Sequence, residues 1–179
     1  RLPAMRKVVD ELGAVQFVVT NVLPYHESMK NEIVYDGTYD LTDLPESSLL
    51  AVKSAPNMKL RTWRSCKFVE DRAIAINYQG DVSPCYALMH NYHCYLFGRH
   101  KEMVAHSFGN VLDTSLAEIW NRPQYVVFRW IVRKSDYPSC TDCRQVDGCH
   151  FAQTNEADCW GNQPSCGDCL WARGIVVCP

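Results

Sequence analysis

Ten cysteines in 179 residues, none of them before Cys66, constrain this chain more than any hydrophobic pattern does. Three fall within "CTDCRQVDGCH", residues 140–150, and the others are Cys66, Cys85, Cys94, Cys159, Cys166, Cys169 and Cys178. Three uses compete for so many thiols. Disulfides staple small extracellular domains that cannot build a core, yet the first 65 residues hold no cysteine and no secretion signal is visible. Structural zinc takes paired CxxC knuckles, so Cys140 and Cys143 with Cys166 and Cys169 make one tetrahedral site. That site leaves six cysteines unexplained. Iron-sulfur clusters take about four thiolates each, and eight to ten cysteines suit two of them. The cluster reading accounts for the most thiols.

With 47% hydrophobic and 21% charged residues the chain can bury a core in one or two domains. Its net charge of −2 gives no basic footprint for nucleic acid and no polybasic stretch for anionic lipid. Its longest apolar runs, such as "AVQFVV", fall far short of the roughly 20 residues that cross a bilayer. A cytoplasmic protein with neither a nucleic-acid nor a membrane partner is expected. The chain begins at Arg1 without a methionine and is expected to be a piece of something longer.

Residues 1–65 read as alternating helix and strand. "LPAMRKVVDELG" puts Leu2, Met5, Val8, Val9 and Leu12 on one helical face and stops at Gly13. "AVQFVVTN" predicts a buried strand. "HESMKNEIVYD" and "LPESSLLAVKSA" predict two short helices, and the alternation of "MKLRTWR" predicts another strand. This is the grammar of a parallel α/β sheet, but two strands alone leave open edges, so the end of a larger barrel or sheet is expected.

From Cys66 onward the signals change. "RAIAINYQGDVSPC" predicts a hairpin turning at Gln79, Gly80 and Asp81, which delivers Cys85 back toward Cys66. "YALMHNYHCYLFGRHKEMVAHSFGN" reads as an exposed aromatic loop. His90 and His93 have metal-ligand spacing but no evident third ligand, so ordinary histidines are expected. In "DTSLAEIWNRPQYVVFRWIVRK", Ser115 and Glu118 match a capping box and Pro123 suits a first turn, giving two helices. Leu116, Ile119, Trp120, Val126, Val127 and Trp130 are their expected core residues. After Asp136 the chain is rich in Cys, Gly, Asp and Asn, a composition that folds around metal. Asp142, Asp147, Glu156, Asp158 and Asp168 read as solvated loop carboxylates or caps.

Written as spacings, the cysteines give C-x13-G-x4-C for Cys66, Gly80 and Cys85, then C-x2-C-x5-C for Cys140, Cys143 and Cys149, then a tail through Cys159, Cys166, Cys169 and Cys178. This order resembles the SPASM domain, the C-terminal auxiliary-cluster module of radical S-adenosylmethionine enzymes. "FGNVLDTSLAEIWNRPQYVVFR" also resembles the stretch that those domains carry between their two cysteine blocks. One departure stands out: the family's next cysteine, separated by three residues from the third of its block, falls on Gln153 here. The stretches "FVVTNVLPYHESMKNEIVYD", "LRTWRSCKF" and "CHFAQTNEADCWGNQPSCGDCLWARGIVVCP" are similar to one subgroup, proposed to mature tungsten-cofactor aldehyde oxidoreductases.

The resemblance implies an α+β chain. Residues 1–65 would be the last strands and helices of a radical α/β barrel, and residues 66–179 a SPASM domain of hairpin, short helices and cluster loops. It implies two auxiliary iron-sulfur clusters of the [4Fe-4S] type, with zinc as a substitute in protein made in air. Cys66, Cys85 and Cys159 would serve one cluster and Cys140, Cys143, Cys149 and Cys178 the other. Cys94, Cys166 or Cys169 would complete the first, or its fourth iron would stay open for substrate; equally, Cys166 and Cys169 would replace Cys178 in the second. S-adenosylmethionine and a third cluster belong to the full-length protein, because the CxxxCxxC motif that holds them is absent from this sequence. This chain alone is expected to generate no radical. A tungsten-dependent oxidoreductase or its cofactor would be the substrate, with ferredoxin or flavodoxin as electron donor, and Tyr86, His90 and Tyr92 would line the substrate channel. A peptide or sulfatase maturase and a non-enzymatic zinc-binding module are the alternatives.

Overall fold

The computed structural model describes residues 2–32, 51–54 and 64–177; residues 1, 33–50, 55–63 and 178–179 lie outside this description. The chain is α+β. Helix α1 (Leu2–Glu11) ends at Gly13, whose φ of 71° lies in the left-handed region that closes a helix. Its expected apolar face is mostly open: Met5, Val8 and Leu12 are exposed, while Val9 packs on the buried Phe17 and Val19 of β1 (Gln16–Val19).

Strand β1 pairs in parallel with β2 (Ala51–Ser54), Gln16 opposite Ala51 and Val19 opposite Ser54. Of the expected helix "LPESSLLAVKSA", residues 51–54 form this strand, a four-residue ladder outweighing a weak helical propensity, and residues 44–50 and 55 lie outside the described residues. The expected helix from His26 is a single 3-10 turn, Glu27–Met29, with the His26 ring accepting from the Ser28 amide at 3.2 Å. Most of the predicted "MKLRTWR" strand lies outside the described residues.

Helix α2 (Lys67–Glu70) leads into the expected hairpin, β3 (Ala75–Ile76) against β4 (Val82–Ser83). Its turn is built on Asn77, whose side-chain oxygen accepts from the amides of Gln79 and Asp81, both at 2.9 Å. Gly80 has a φ of +87°, and a Cβ there would stand 2.7 Å from the Asn110 carboxamide oxygen. Asn110 in turn donates to Gln79 O at 2.8 Å and Asp81 at 3.0 Å. The glycine of the cysteine motif and the "GN" of the helix stretch thus belong to one clamp, which fixes the hairpin that carries Cys85.

The stretch read as an exposed loop is a second hairpin, β5 (Tyr92–Leu96) against β6 (Arg99–Met103). Its two turn residues, Phe97 and Gly98, both have positive φ, as the tight turns that match strand twist require. Sequence reasoning missed it because phenylalanine is a poor residue for that position. His93, Tyr95 and His100 stack on its outer face.

Helices α3 (Leu116–Trp120) and α4 (Pro123–Lys134) start where expected, with the Ser115–Glu118 capping box formed and Pro123 in the first turn. Their core face differs from the expectation. Ile119 is fully buried, but Leu116, Val126, Val127 and Trp130 are exposed, and Tyr125, Phe128 and Val132 point inward instead. These three recur at spacings of three and four on one helical stripe and join Val69, Val82, Leu88 and Phe108 in the main core. Phe108 stacks on Tyr125 with ring centroids 4.2 Å apart, and Arg129 lies over both Trp120 and Tyr125.

Candidate metal centre

Nine described cysteines are free thiols; Cys178 lies outside the described residues. Two groups of four emerge from their placement. Cys66 caps the start of α2, and Cys85 stands at the start of the 3-10 turn Tyr86–Leu88 directly after β4. The hairpin brings them together as expected, and Cys166 and Cys169 join them from the C-terminal loop. The larger of two small cavities is lined by Cys85, Cys94, Cys166 and Cys169, and the smaller by Cys66, Cys85 and Cys169. Burial raises the pKa of Cys85, and charges at Cys169 and Cys66 raise it further. Cys166 is raised well above the ordinary thiol value by burial and then by Cys169, Cys85 and Cys66. Four thiols that would repel one another as thiolates need a cationic centre between them.

The second group comes from the three short 3-10 turns Cys140–Asp142, Val146–Gly148 and His150–Ala152 and the loop after them. Burial lifts Cys140 to about 12, Asp168 raises it further, Lys101 opposes this, and Cys159 and Cys149 add to it. Cys159 is raised by desolvation, then by Asp158, with smaller effects from Cys149 and Cys143. Cys143 and Cys159 face solvent; Cys140 is buried. Cys166 and Cys169 thus line cavities shared with Cys66 and Cys85, and Cys159 influences the same thiols as Cys149 and Cys143. Chain proximity explains this, since the loop from Cys159 to Cys169 runs from one group to the other.

The chemistry of the first group fits a cluster. Nearby backbone amides of Phe68 and Val69 favour the Cys66 thiolate, and those of Ala87 and Leu88 the Cys85 thiolate, against the burial that raises both. The Ala172 amide donates to Cys169 Sγ at 3.4 Å. Amides aimed at sulfur favour the thiolate and tune the centre it holds. A single zinc ion at about 2.3 Å from each sulfur would need sulfurs roughly 3.8 Å apart. Among the described residues no three His, Cys, Asp or Glu side chains converge closely enough for one ion. His90 and His93, both exposed, belong to no such trio.

Buried cations hold the two groups in place. Arg64, two residues before Cys66, donates to Tyr137 O at 2.7 Å, Pro138 O at 2.9 Å and Ser135 O at 2.8 Å, and lies over the Tyr137 ring. It thereby ties the approach to Cys66 to the approach to Cys140. Arg173, 1% exposed, pairs with Asp142 at 3.2 Å and donates to Ser139 Oγ. Asp142 and Asp168 are thus ion-pair partners, not solvated carboxylates. Asp158 is a cap as expected, accepting from the amides of Trp160 and Asn162. Of the expected channel residues, Tyr92 lines the larger cavity beside Cys94, while Tyr86 stacks edge-on against Phe68 and His90 faces solvent.

Residues 66–144 match the SPASM iron-sulfur cluster-binding domain. The match covers Cys66, Cys85, Cys94, Cys140 and Cys143, whereas Cys149, Cys159, Cys166 and Cys169 lie beyond it. The whole chain is 42% identical to the tungsten-containing aldehyde ferredoxin oxidoreductase cofactor-modifying protein of Pyrococcus furiosus. It spans about half the length of that curated relative, 52%. No solved structure matches the chain. Among the described residues no helix is long and apolar enough to cross a membrane.

Proposed function

We propose that this chain is the auxiliary-cluster portion of a radical S-adenosylmethionine maturase that modifies a tungsten-dependent oxidoreductase or its cofactor. In this reading Cys66, Cys85, Cys166 and Cys169 hold one four-iron cluster, and Cys140, Cys143, Cys149 and Cys159 hold the other. Cys94 and Cys178 are then not required as ligands. Residues 1–65 are the end of the radical barrel and residues 66–179 the SPASM domain. S-adenosylmethionine and its own cluster bind elsewhere in the full-length protein, which works in the cytoplasm and draws electrons from a ferredoxin or flavodoxin.

The observation that carries the reading is the convergence of Cys66, Cys85, Cys166 and Cys169 on shared cavities beside a SPASM match. Such clusters, when bound, pass single electrons at potentials set by their surroundings. The chain's own part is to hold the thiols apart, to aim amides at their sulfurs and to exclude water. Leu23, Leu88, Leu96, Leu170 and Trp171 supply the apolar wall beside Cys85 and Cys169. A cofactor-modifying role follows from the relative's name and the identity to it along the whole chain.

The cluster part is tested by iron, sulfide and zinc analysis of chain produced and reconstituted without oxygen. About eight irons with matching sulfide are expected for two four-iron clusters; zinc alone, or no metal, would end this reading. The maturase part is tested by expressing the tungsten-dependent oxidoreductase with and without the full-length protein. An unchanged cofactor mass and unchanged oxidoreductase activity would remove it.

A further inference from the structure

Three arginines, Arg72, Arg129 and Arg133, line one open depression on α4 and its neighbours, together with Trp120, Val126 and Trp130. No acidic side chain lines it. Among the described residues none of the three arginines makes an ion pair. Glu70 and Asp71 precede Arg72 in the chain, but neither borders the depression, and Asp71 pairs with Lys67 at 2.9 Å. Arg129 is held in place: it donates to Trp120 O at 2.7 Å and lies 3.9 Å from the Trp120 ring centroid and 4.2 Å from that of Tyr125. Its other terminal nitrogen is buried without a hydrogen-bond partner. Trp130 is 61% exposed and Val126 44%, and Lys134 adds a fourth cation 4.9 Å from the Trp130 ring centroid.

Stability alone does not explain this gathering. Arg129 and Arg133 stand four residues apart on α4, where like charges repel. The end of a helix favours cations, which accounts for Arg133 and Lys134 in the last turn. It does not account for Arg72. That residue closes α2 with a φ of 55°, and across it the Ala73 amide donates to Phe68 O at 2.8 Å. Glycine is the residue that such a helix ending favours, and any other side chain there is strained. The strained position delivers a guanidinium to the depression. Exposed tryptophan beside arginine is the composition of an interface centre. The depression is open, unlike the enclosed clefts that bury small ligands.

We propose that this basic and aromatic surface docks an acidic electron-carrier protein of the ferredoxin or flavodoxin class. This rests on the cluster reading above. Charge complementarity selects an acidic face: guanidiniums without acids of their own offer paired N–H donors to carboxylates, and a local positive spot on a chain of net charge −2 orients the approach of such a partner. Position selects the class. Helix α2 runs from Cys66 to this surface, and Val69, which borders the depression, donates its amide to Cys66 O at 3.1 Å. A partner seated here stands beside the first thiol set. The patch is small, as the transient interfaces of redox partners are. Carboxylates of the carrier meet Arg72 and Arg133 at the rim, and an apolar side chain covers Trp130 and Val126.

The test is calorimetric titration of a purified acidic ferredoxin into the cluster-loaded chain at low and high salt. Binding is expected at low salt and should weaken as salt screens the charges. Arg133→Gln and Trp130→Ala are each expected to weaken it roughly fivefold or more. Lys7→Gln, an equal loss of charge on α1, is expected to leave it unchanged. Arg72→Gly should weaken binding while raising the melting temperature, a combination that a structural role for Arg72 would not give. No binding by the parent chain, or equal affinity in parent and variants, would overturn the inference with the clusters still present. Binding of the tungsten-dependent oxidoreductase in place of ferredoxin, weakened by the same variants, would overturn the choice of partner. Full-length protein that binds no ferredoxin and is destabilised by these variants would assign the surface to the rest of its own chain and overturn the inference as well. A chain that takes up no iron would remove the cluster reading and this inference together.

Discussion

Replacing cysteines in pairs tests the two sets directly. Each set offers four thiols, so a fully loaded chain should hold about eight irons, four per set. Losing one thiol breaks a four-ligand centre, so Cys66→Ala should drop the content to about four, and the Cys66→Ala, Cys166→Ala pair should also hold about four. That pair is non-additive because both thiols serve one centre. Cys66→Ala with Cys159→Ala removes one thiol from each set and should leave almost no cluster iron. The motif-based grouping predicts the reverse for this last pair, since it assigns Cys66 and Cys159 to one cluster and leaves the other intact. Iron and sulfide assays with absorption spectra read the outcome, and circular dichroism on each variant controls for folding. About four irons retained in the Cys66→Ala, Cys159→Ala pair would refute the geometry argued from Cys166 and Cys159.

Ile119 is fully buried and Trp130 is 61% exposed, so denaturant unfolding should show Ile119→Ala losing about 2–5 kcal/mol and Trp130→Ala within about 1 kcal/mol of the parent; equal losses would contradict the helix orientation. Gly80 and Gly161 share a φ near +90°, but only at Gly80 does an added Cβ meet a neighbour, Asn110, within 3 Å. Gly161→Ala should therefore cost roughly 1–2 kcal/mol of backbone strain and Gly80→Ala clearly more, with the excess shrinking in an Asn110→Ala background. In metal-free chain, mass spectrometry after brief alkylation at pH 8 should find Cys143 and Cys159 modified first. Cys94 should lag, since burial raises its thiol to about 11 and the thiolate is the reacting form. Its modification should accelerate as pH rises toward that value; early labelling of Cys94 would count against its burial.

Local rules carried a good part of the fold. The capping box at Ser115, the proline at Pro123 and the Gln79–Asp81 turn are decided by a few neighbouring atoms, so their sequence signals were sufficient. Orientation was not local. In "PQYVVFRWIVRK" two apolar stripes compete, one through Val126, Val127 and Trp130 and one through Tyr125, Phe128 and Val132. The second wins because Phe108 and Trp120 offer ring faces to Tyr125, while Arg129 covers Trp120 from the solvent side. Nothing within the helix itself ranks those stripes. Strand β2 was misread for a related reason: its partner, β1, lies some 30 residues earlier, and pairing across such a distance outweighs any short-range propensity.

The candidate site divides along the same line. Spacing identified the cysteines as a set because a thiol has few roles at this density, yet it could not say which four belong together. That depends on the course of the loop from Cys159 to Cys169, which one displaced cysteine was enough to reroute relative to the motif. The cations were the larger omission. Arg64, Lys101 and Arg173 are ordinary letters in sequences such as "RHKEM", and hydrophilic residues on a short hairpin read as solvent-facing. Their burial makes sense once the thiols are counted as future thiolates. In the proposed reading, two four-iron clusters with four cysteinyl ligands each would bring net negative charge into a small volume, and cations fixed by backbone carbonyls and carboxylates would allow that charge to be held away from water. Arg64 joins the entry to Cys66 to the entry to Cys140, Arg173 anchors Asp142 beside Cys143, and Lys101 meets Asp168 between Cys166 and Cys169. Each cation therefore does two jobs with one side chain: it offsets the charge of the ligands and fixes the distance between the loops that carry them.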